Sequence, residues 1–255
     1  MNGGSENAKG LQTVERALDV LYLFREYEGI TLSFVAEKLN MSPAVAYRLL
    51  YTLTDSGFLR QEKAGKRYYL GEKSLMLGYQ AIRSQEIRQT AYPVMEKLKQ
   101  RCGLDVYLTV SVDMQSLCVE KLDVEDELQL SMRIGGIYPI HKGASNRPLL
   151  AFADEEAREG YISSLKLTEE EKTKLEGEME EVRKRGYDYT RGLLSPGLFA
   201  IGIPVFGMRN RLAGCISVGG YSVGMKEEKF DSYLKETAAA AAEISRLSGA
   251  EEQGM

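Results

Sequence analysis

Ala44, Tyr47, Arg48 and Tyr51 fall on one face of the helical stretch PAVAYRLLYTLTDSG. Arg48 is long enough to hold a phosphate or the edge of a guanine, and Ala44 offers a methyl-sized contact. Tyr47 can donate its hydroxyl to phosphate. Ser42 and Pro43, at the start of the same helix, complete this group. A second set of cations, Lys63, Lys66 and Arg67, follows at the tip of a hairpin-like stretch, FLRQEKAGKRYYLG. Such a tip can lie along a phosphate backbone or probe a minor groove. The chemistry on offer is recognition of a polyanion. The plainer alternatives are a structural ion pair for Arg48 and simple solvation for the hairpin cations.

Residues for bond-making chemistry are scarce. His141 is the single histidine, which excludes a metal site built on several histidines. Placed just before a helix, it suits a loop hydrogen bond. Ser163-Ser-Leu-Lys166 fits S-x-x-K in spacing, but the companion S-D-N and K-T-G elements are absent. Neither a G-x-x-x-x-G-K-[ST] phosphate loop nor a G-x-G-x-x-G fingerprint occurs, and a turn suffices to explain Gly219–Gly220. Cys102, Cys118 and Cys215 lack metal-like spacing and read as reduced core thiols of a cytosolic protein. No enzyme activity, metal or cofactor is expected.

Residues that would grip a polyanion need a scaffold. In TVERALDVLYLFREY, Val14, Ala17, Leu18, Leu21 and Phe24 recur with helical period, Thr13 is a candidate N-cap and Gly29 a terminator. A second helix follows over 31–40, with Leu32, Val35, Ala36 and Leu39 inward. After a turn at 40–42, Ser42 caps a third helix with Pro43 in its first position. That helix buries Val45, Leu49, Leu50 and Leu53 and stops at Gly57. Two short helices around a tight turn make a helix-turn-helix, and the FLRQE–KRYYL hairpin turning at Gly65 makes its wing.

Residues 72–103 read as two helical pieces, the second starting near Ser84. Leu75, Leu77, Tyr79 and Ile82 leave an apolar strip that a partner chain could cover. From 105 the period becomes two. Strands are expected at 104–112 and 116–124, joined through Asp-Met-Gln, and at 128–134. A loop, one helix over 147–165 and a charged helix over 168–186 follow. IGIPVFG and RLAGCISVGG give two more strands meeting through Met-Arg-Asn, and a last helix closes an α+β domain.

Length and charge agree with this division. The chain's 255 residues are comfortable for two domains, and 44% hydrophobic content can supply each with a core. The net charge of -4 is unevenly spread: residues 1–85 hold 11 Lys and Arg against 9 Asp and Glu, while the remainder is acidic. A mildly basic head on an acidic body suits a DNA reader that touches phosphate with one face. The polar first ten residues and the absence of any long apolar run point to a cytoplasmic chain with no membrane partner.

Glu15-Arg16-Ala17, Ala36-Glu37 with Leu39, Arg48-Leu49-Leu50 with Leu53 and Gly57, and Tyr69-Leu70-Gly71 together resemble the DNA-binding half of IclR-type regulators. The stretches PIHKGASNRPLLAF, RKRGYDY and GLFAIGIPVF resemble, more loosely, the effector domain of the same regulators. The resemblance implies a winged helix-turn-helix domain (1–71), a linker helix (72–85) and a GAF-like α/β effector-binding and oligomerisation domain with an antiparallel sheet (86–255). It implies a repressor or activator whose partners are double-stranded DNA, a small-molecule effector and further copies of itself, as homodimer or homotetramer. Ala44 and Val45 stand where the family commonly has Ser-Thr, a departure that bears on the operator sequence. By the same resemblance the effector would meet the backbone at Ala144 and Ser145, with Leu130, Tyr138, Thr190, Ala200, Ser217 and Gly219 around it. Thr190, Ala200 and Gly219 replace more polar family residues, and Arg147 replaces a lysine. An aromatic or branched organic acid fits that change. The competing readings are a constitutive DNA-binding oligomer without a retained effector, and an enzyme.

Overall fold

The computed structural model describes residues 11–62, 66–83, 86–124, 132–192, 196–222 and 227–251. The chain divides into two compact units, Met1–Ile82 and Arg83–Met255.

In the first unit, helix α1 (Gln12–Tyr22) starts from Leu11, whose carbonyl accepts from both Val14 and Glu15 and whose side chain has no acceptor to cap with. Thr13 therefore lies inside the helix and is not its cap. The helix tightens into a 3-10 turn at Leu23–Arg25, well before Gly29. Gly29 has a different role: a Cβ there would lie 2.8 Å from the Tyr69 ring. Val14 and Leu18, expected inside, are 52% and 58% exposed, because no other described element of this unit covers that side of α1.

Helix α2 (Leu32–Lys38) is capped by Thr31, whose hydroxyl accepts from Phe34 N–H. Helix α3 (Pro43–Asp55) is capped by Ser42, whose hydroxyl accepts from Val45 N–H at 3.4 Å. It ends at Gly57, whose φ of +80° favours a residue without Cβ. Its buried arc is Ala46, Leu49, Leu50 and Leu53, so Ala46 takes the inner place expected of Val45, which is only half-buried. Strands β1 (Leu59–Gln61) and β2 (Tyr68–Leu70) pair antiparallel, and Ile30 bridges to Tyr68. Leu59, Tyr68 and Ile30 join Val20 and Val35 in the unit's core. Helix α4 (Glu72–Arg83) follows.

The second unit opens with α5 (Glu86–Cys102); Ser84 lies outside the described residues. Strands β3 (Asp105–Val112) and β4 (Gln115–Leu122) pair Val112 with Gln115. The turn is thus two residues, Asp113–Met114, both at positive φ, instead of the three expected. Such turns match the twist of the strands they join. The expected strand at 128–134 lies largely outside the described residues, and Met132–Ile134 is not strand. Strand β5 (Ile137–Pro139) arises inside a stretch read as loop, because it pairs with β4.

The single helix expected over 147–165 is two, α6 (Arg147–Ala151) and α7 (Glu155–Ser164), interrupted at Phe152–Asp154. Helix α8 (Glu169–Arg185) has a full capping box, Thr168 with Glu171, and ends at Gly186 in the left-handed region. Strand β6 (Asp188–Arg191), β7 (Leu198–Phe206), β8 (Leu212–Tyr221) and α9 (Glu227–Leu247) complete the unit. Strand β6 was not foreseen. The six described strands run β5-β4-β3-β8-β7-β6, all antiparallel. One face packs Leu108, Ile201 and Ile216 against Met95 of α5 and Ile244 of α9. On the other side, Leu149, Leu150, Ile162, Met179 and Val182 form a second core beside Cys215.

Candidate DNA-binding and effector sites

Because α3 buries the arc from Ala46 to Leu53, the opposite arc is free. Ser42, Pro43, Ala44, Tyr47, Arg48 and Tyr51 are all exposed, as their spacing requires. The Tyr47 and Tyr51 rings lie 6.2 Å apart, tilted by 30°. The Arg48 guanidinium has no hydrogen bond or ion pair among the described residues. In the wing, Lys66 is exposed at a φ of +52°. Arg67 is not free: its guanidinium donates to the Gly29 carbonyl at 3.3 Å. Lys63 lies outside the described residues.

The sheet builds the second site. Antiparallel pairing sets Ser217 opposite Tyr107 and Gly202, and Gly219 opposite Asp105 and Ala200; Ala200 in turn faces Thr190. Directly opposed residues share a face, so Thr190, Ala200, Ser217 and Gly219 form one patch. The loop 143–146 lies directly on this face. A Cβ at Gly202 would be 1.8 Å from the Ala144 carbonyl oxygen, so only glycine permits the approach.

Side chains from the sheet hold the loop down. Thr109 donates to the Ser145 carbonyl at 2.6 Å, Ser217 donates to the Ser145 hydroxyl at 2.7 Å, and Ser116 donates to Asn146 at 2.7 Å. The Ala144 N–H donates to the Thr190 hydroxyl at 3.4 Å. The Ser145 N–H and the protons of the Ser145 and Thr190 hydroxyls have no acceptor among the described residues, although both residues are buried. Ser145 and Thr190 border the patch that carries the small residues Ala200 and Gly219.

Ala144, Ser145, Thr190, Ala200, Ser217 and Gly219 are thus brought together. Tyr138 sits elsewhere on the same sheet face, opposite Ser116 at the β5 edge, packed with Tyr107, Cys118 and Met132. Leu130 lies outside the described residues. Sequence reasoning missed Thr109, Ser116 and Tyr107. Period-two alternation places 105, 107 and 109 on one side of β3, but it does not say which side the loop covers.

Arg147, next to the loop, is consumed by structure: it forks onto both oxygens of buried Asp188 at 2.7 Å and reaches Glu178 at 2.9 Å. His141 shares a hydrogen bond with the Tyr161 hydroxyl at 2.7 Å, and burial pushes its pKa down, with the Lys142 charge adding to the effect. The three cysteines are buried and free; burial pushes the Cys118 thiol up to about 12 and Cys102 up to about 11. Thiols held so far from ionisation are packing groups. Among the described residues no cluster of three metal-ligating side chains occurs, and no helix is long and apolar enough to cross a membrane.

Comparison with known proteins agrees with this architecture. The model of the IclR helix-turn-helix domain matches residues 13–63, and that of the C-terminal domain of the bacterial transcriptional regulator IclR matches residues 79–246. The HTH-type transcriptional regulator KipR of Bacillus subtilis is 29% identical over 244 residues, covering 93% of this chain and 97% of its own. The transcriptional repressor IclR of Escherichia coli is 23% identical over 219 residues, covering 82% and 80%. Among solved structures, the Thermotoga maritima IclR has a TM-score of 0.64 at 26% identity, covering 94% of this chain and all of that one. An IclR homolog from Microbacterium hydrocarbonoxydans, solved in complex with 4-hydroxybenzoate, has a TM-score of 0.72 at 22% identity, covering 92% and 98%. With the two models together matching residues 13–63 and 79–246, the chain belongs to the IclR family of bacterial DNA-binding transcriptional regulators.

Proposed function

We propose that this regulator is ligand-gated: it binds a palindromic operator as a dimer or tetramer, and a small carboxylic acid at the 143–146 loop changes its affinity for that operator. The observation that carries the reading is the set of unanswered donors at Ser145 and Thr190. A buried N–H without a partner is rare and costly, and it marks a place where water or a ligand completes the structure. Neighbouring N–H and O–H donors with no acceptor suit a carboxylate. Arg147 does not supply the positive charge, because Asp188 and Glu178 neutralise it.

Small side chains at Ala200 and Gly219, with the Tyr107 ring 3.5 Å from where a Gly219 Cβ would lie, favour an apolar body on the acid, aromatic or branched. The 4-hydroxybenzoate complex of a fold neighbour is in keeping with that class. In this reading residues 1–71 bind DNA through Arg48, Tyr47 and the wing, 72–85 form the linker, and 86–255 sense and oligomerise.

Two features support self-association. Helix α4 leaves Leu75 and Met76 74% and 68% exposed, with Leu77 and Tyr79 also open. The same unit has an apolar groove of about 350 Å³ between α1 and α3, lined by Val14, Leu18, Leu21, Leu53 and Phe58. A second copy can cover both, and the two-fold symmetry of such a dimer matches a palindrome whose half-sites lie roughly 34 Å apart.

Footprinting of the purified chain, at fixed salt and with a panel of aromatic and branched acids, tests the reading. A two-half-site footprint that one acid strengthens or releases is expected, and Ser145→Ala with Thr190→Val should weaken that response. A footprint indifferent to every acid sinks the gating and leaves a constitutive DNA-binding oligomer.

A further inference from the structure

Among the described residues, two arginines of the first unit, Arg25 and Arg60, lie over tyrosine rings, and they differ in one respect. Arg25 covers Tyr22 at 4.9 Å from the ring centroid, and Glu26 answers its charge at 3.3 Å. Arg60 covers Tyr69 at 4.7 Å, is exposed, and has no hydrogen bond or ion pair among the described residues. This charge is held in place by an aromatic platform and left without a counter-ion.

The platform is itself built in. Arg60 and Tyr69 are directly paired across β1 and β2, on the hairpin face opposite buried Leu59 and Tyr68. Tyr69 rests against Gly29 so closely that a Cβ there would be 2.8 Å from Cε1, and its hydroxyl reaches Glu62 at 3.4 Å. Arg67, bonded to the Gly29 carbonyl, fixes the same corner. The hairpin also packs on α3, since Leu59 and Tyr68 share one core with Ala46 and Leu50.

Stacking engages only the flat face of a guanidinium. Its in-plane N–H groups stay available for a bidentate contact, the geometry that matches a phosphodiester. A long arginine side chain normally loses much rotamer freedom on binding, and one already laid on a ring loses less.

We propose that Arg60, laid on Tyr69, is a preorganised phosphate-binding residue of the wing, gripping the DNA backbone beside the groove that α3 enters. The inference rests on the winged-helix reading and is independent of the effector site.

The test uses the full chain and a fluorescent duplex of unrelated sequence, about three helical turns long, with affinity followed from about 50 to 200 mM salt. Arg60→Gln should flatten the log–log salt slope by about 0.9 for each protomer bound. Arg60→Lys restores the charge and with it the slope. Tyr69→Leu keeps the charge and the slope but lowers affinity by roughly two- to tenfold per protomer, from the rotamer freedom that Arg60 must then give up on binding. A slope unchanged in Arg60→Gln overturns the proposal. So does a slope lost equally in Arg60→Gln and Arg60→Lys, which would indicate altered wing folding. If Tyr69→Leu distorts the hairpin, the Gln and Lys pair still decides, because it leaves the ring intact. DNA binding that persists in all three variants with the parent slope would refute Arg60's role and leave the winged-helix reading standing.

Discussion

Replacing Arg147 by leucine strands a carboxylate. Asp188 is fully buried, and both its oxygens accept from Arg147 at 2.7 Å; the arginine side chain is itself only 13% exposed. The remaining cation near Asp188 among the described residues is Arg185, at 3.7 Å and largely exposed, which offsets little. Removing one member of a buried pair costs about 3–5 kcal/mol, because the survivor is left charged and unsolvated. For a unit of this size, 1 kcal/mol moves Tm by roughly 2–4 °C, so Arg147→Leu should lower it by roughly 6–20 °C. Asp188→Leu should cost less, since Arg147 can still turn to Glu178, which reaches solvent. The double variant should recover most of the loss, as replacement of both charges by apolar groups is often near neutral. Calorimetry of the full chain across the parent, the two single variants and the double variant closes the cycle. Losses that simply add, with no coupling above about 0.5 kcal/mol, would refute the pair as a unit. The pair matters beyond stability: Arg147 directly follows the 143–146 loop and Asp188 directly precedes Tyr189 and Thr190, so together they set the distance between loop and β6.

Gly202→Ala drives a Cβ into the Ala144 carbonyl, a backbone atom that cannot rotate away. It should lower stability by about 1–3 kcal/mol in thermal melts and abolish acid binding in calorimetric titration, and an unchanged Tm would show that the loop does not lie on the sheet. Lys66→Ala with Arg67→Ala should weaken binding to all DNA sequences and flatten its salt dependence, with Arg67 also loosening the wing through its lost bond to Gly29; an identical salt slope would remove both cations from the phosphate contact. Burial, with Lys142 second, holds His141 below its ordinary value of 6.5, so its neutral form is favoured by folding. Its contribution is complete above about pH 6.5 and declines as pH falls from there toward the lowered value. His141→Gln should flatten that acid limb in a Tm-versus-pH series, and an unaltered limb would assign it to other groups.

Local rules were legible where neighbouring residues satisfy one another. Ser42 with Pro43, Gly57, and the exposed arc of α3 follow from a few consecutive residues, because capping and helical period act over one or two turns. The same rules misled where another partner supervened. Thr13 is not a cap because α1 already starts from Leu11, and Gly29 serves the Tyr69 ring forty residues away instead of ending α1. Strands β5 and β6 were invisible for a physical reason. At three and four residues they carry too little alternation to register, and they exist because β4 and β7 offer open edges.

The sequence by itself determined the helix-turn-helix, the exposed arc of α3, the antiparallel character of the second unit and the family, all of which rest on short-range periodicity and consecutive motifs. Only the tertiary structure decided which face of the sheet the 143–146 loop covers, that Arg147 is spent on Asp188, and that Arg60 stands free on Tyr69. Each of these joins residues brought together by strand pairing or packing across the fold, and no local pattern encodes a contact whose partner is chosen by the topology.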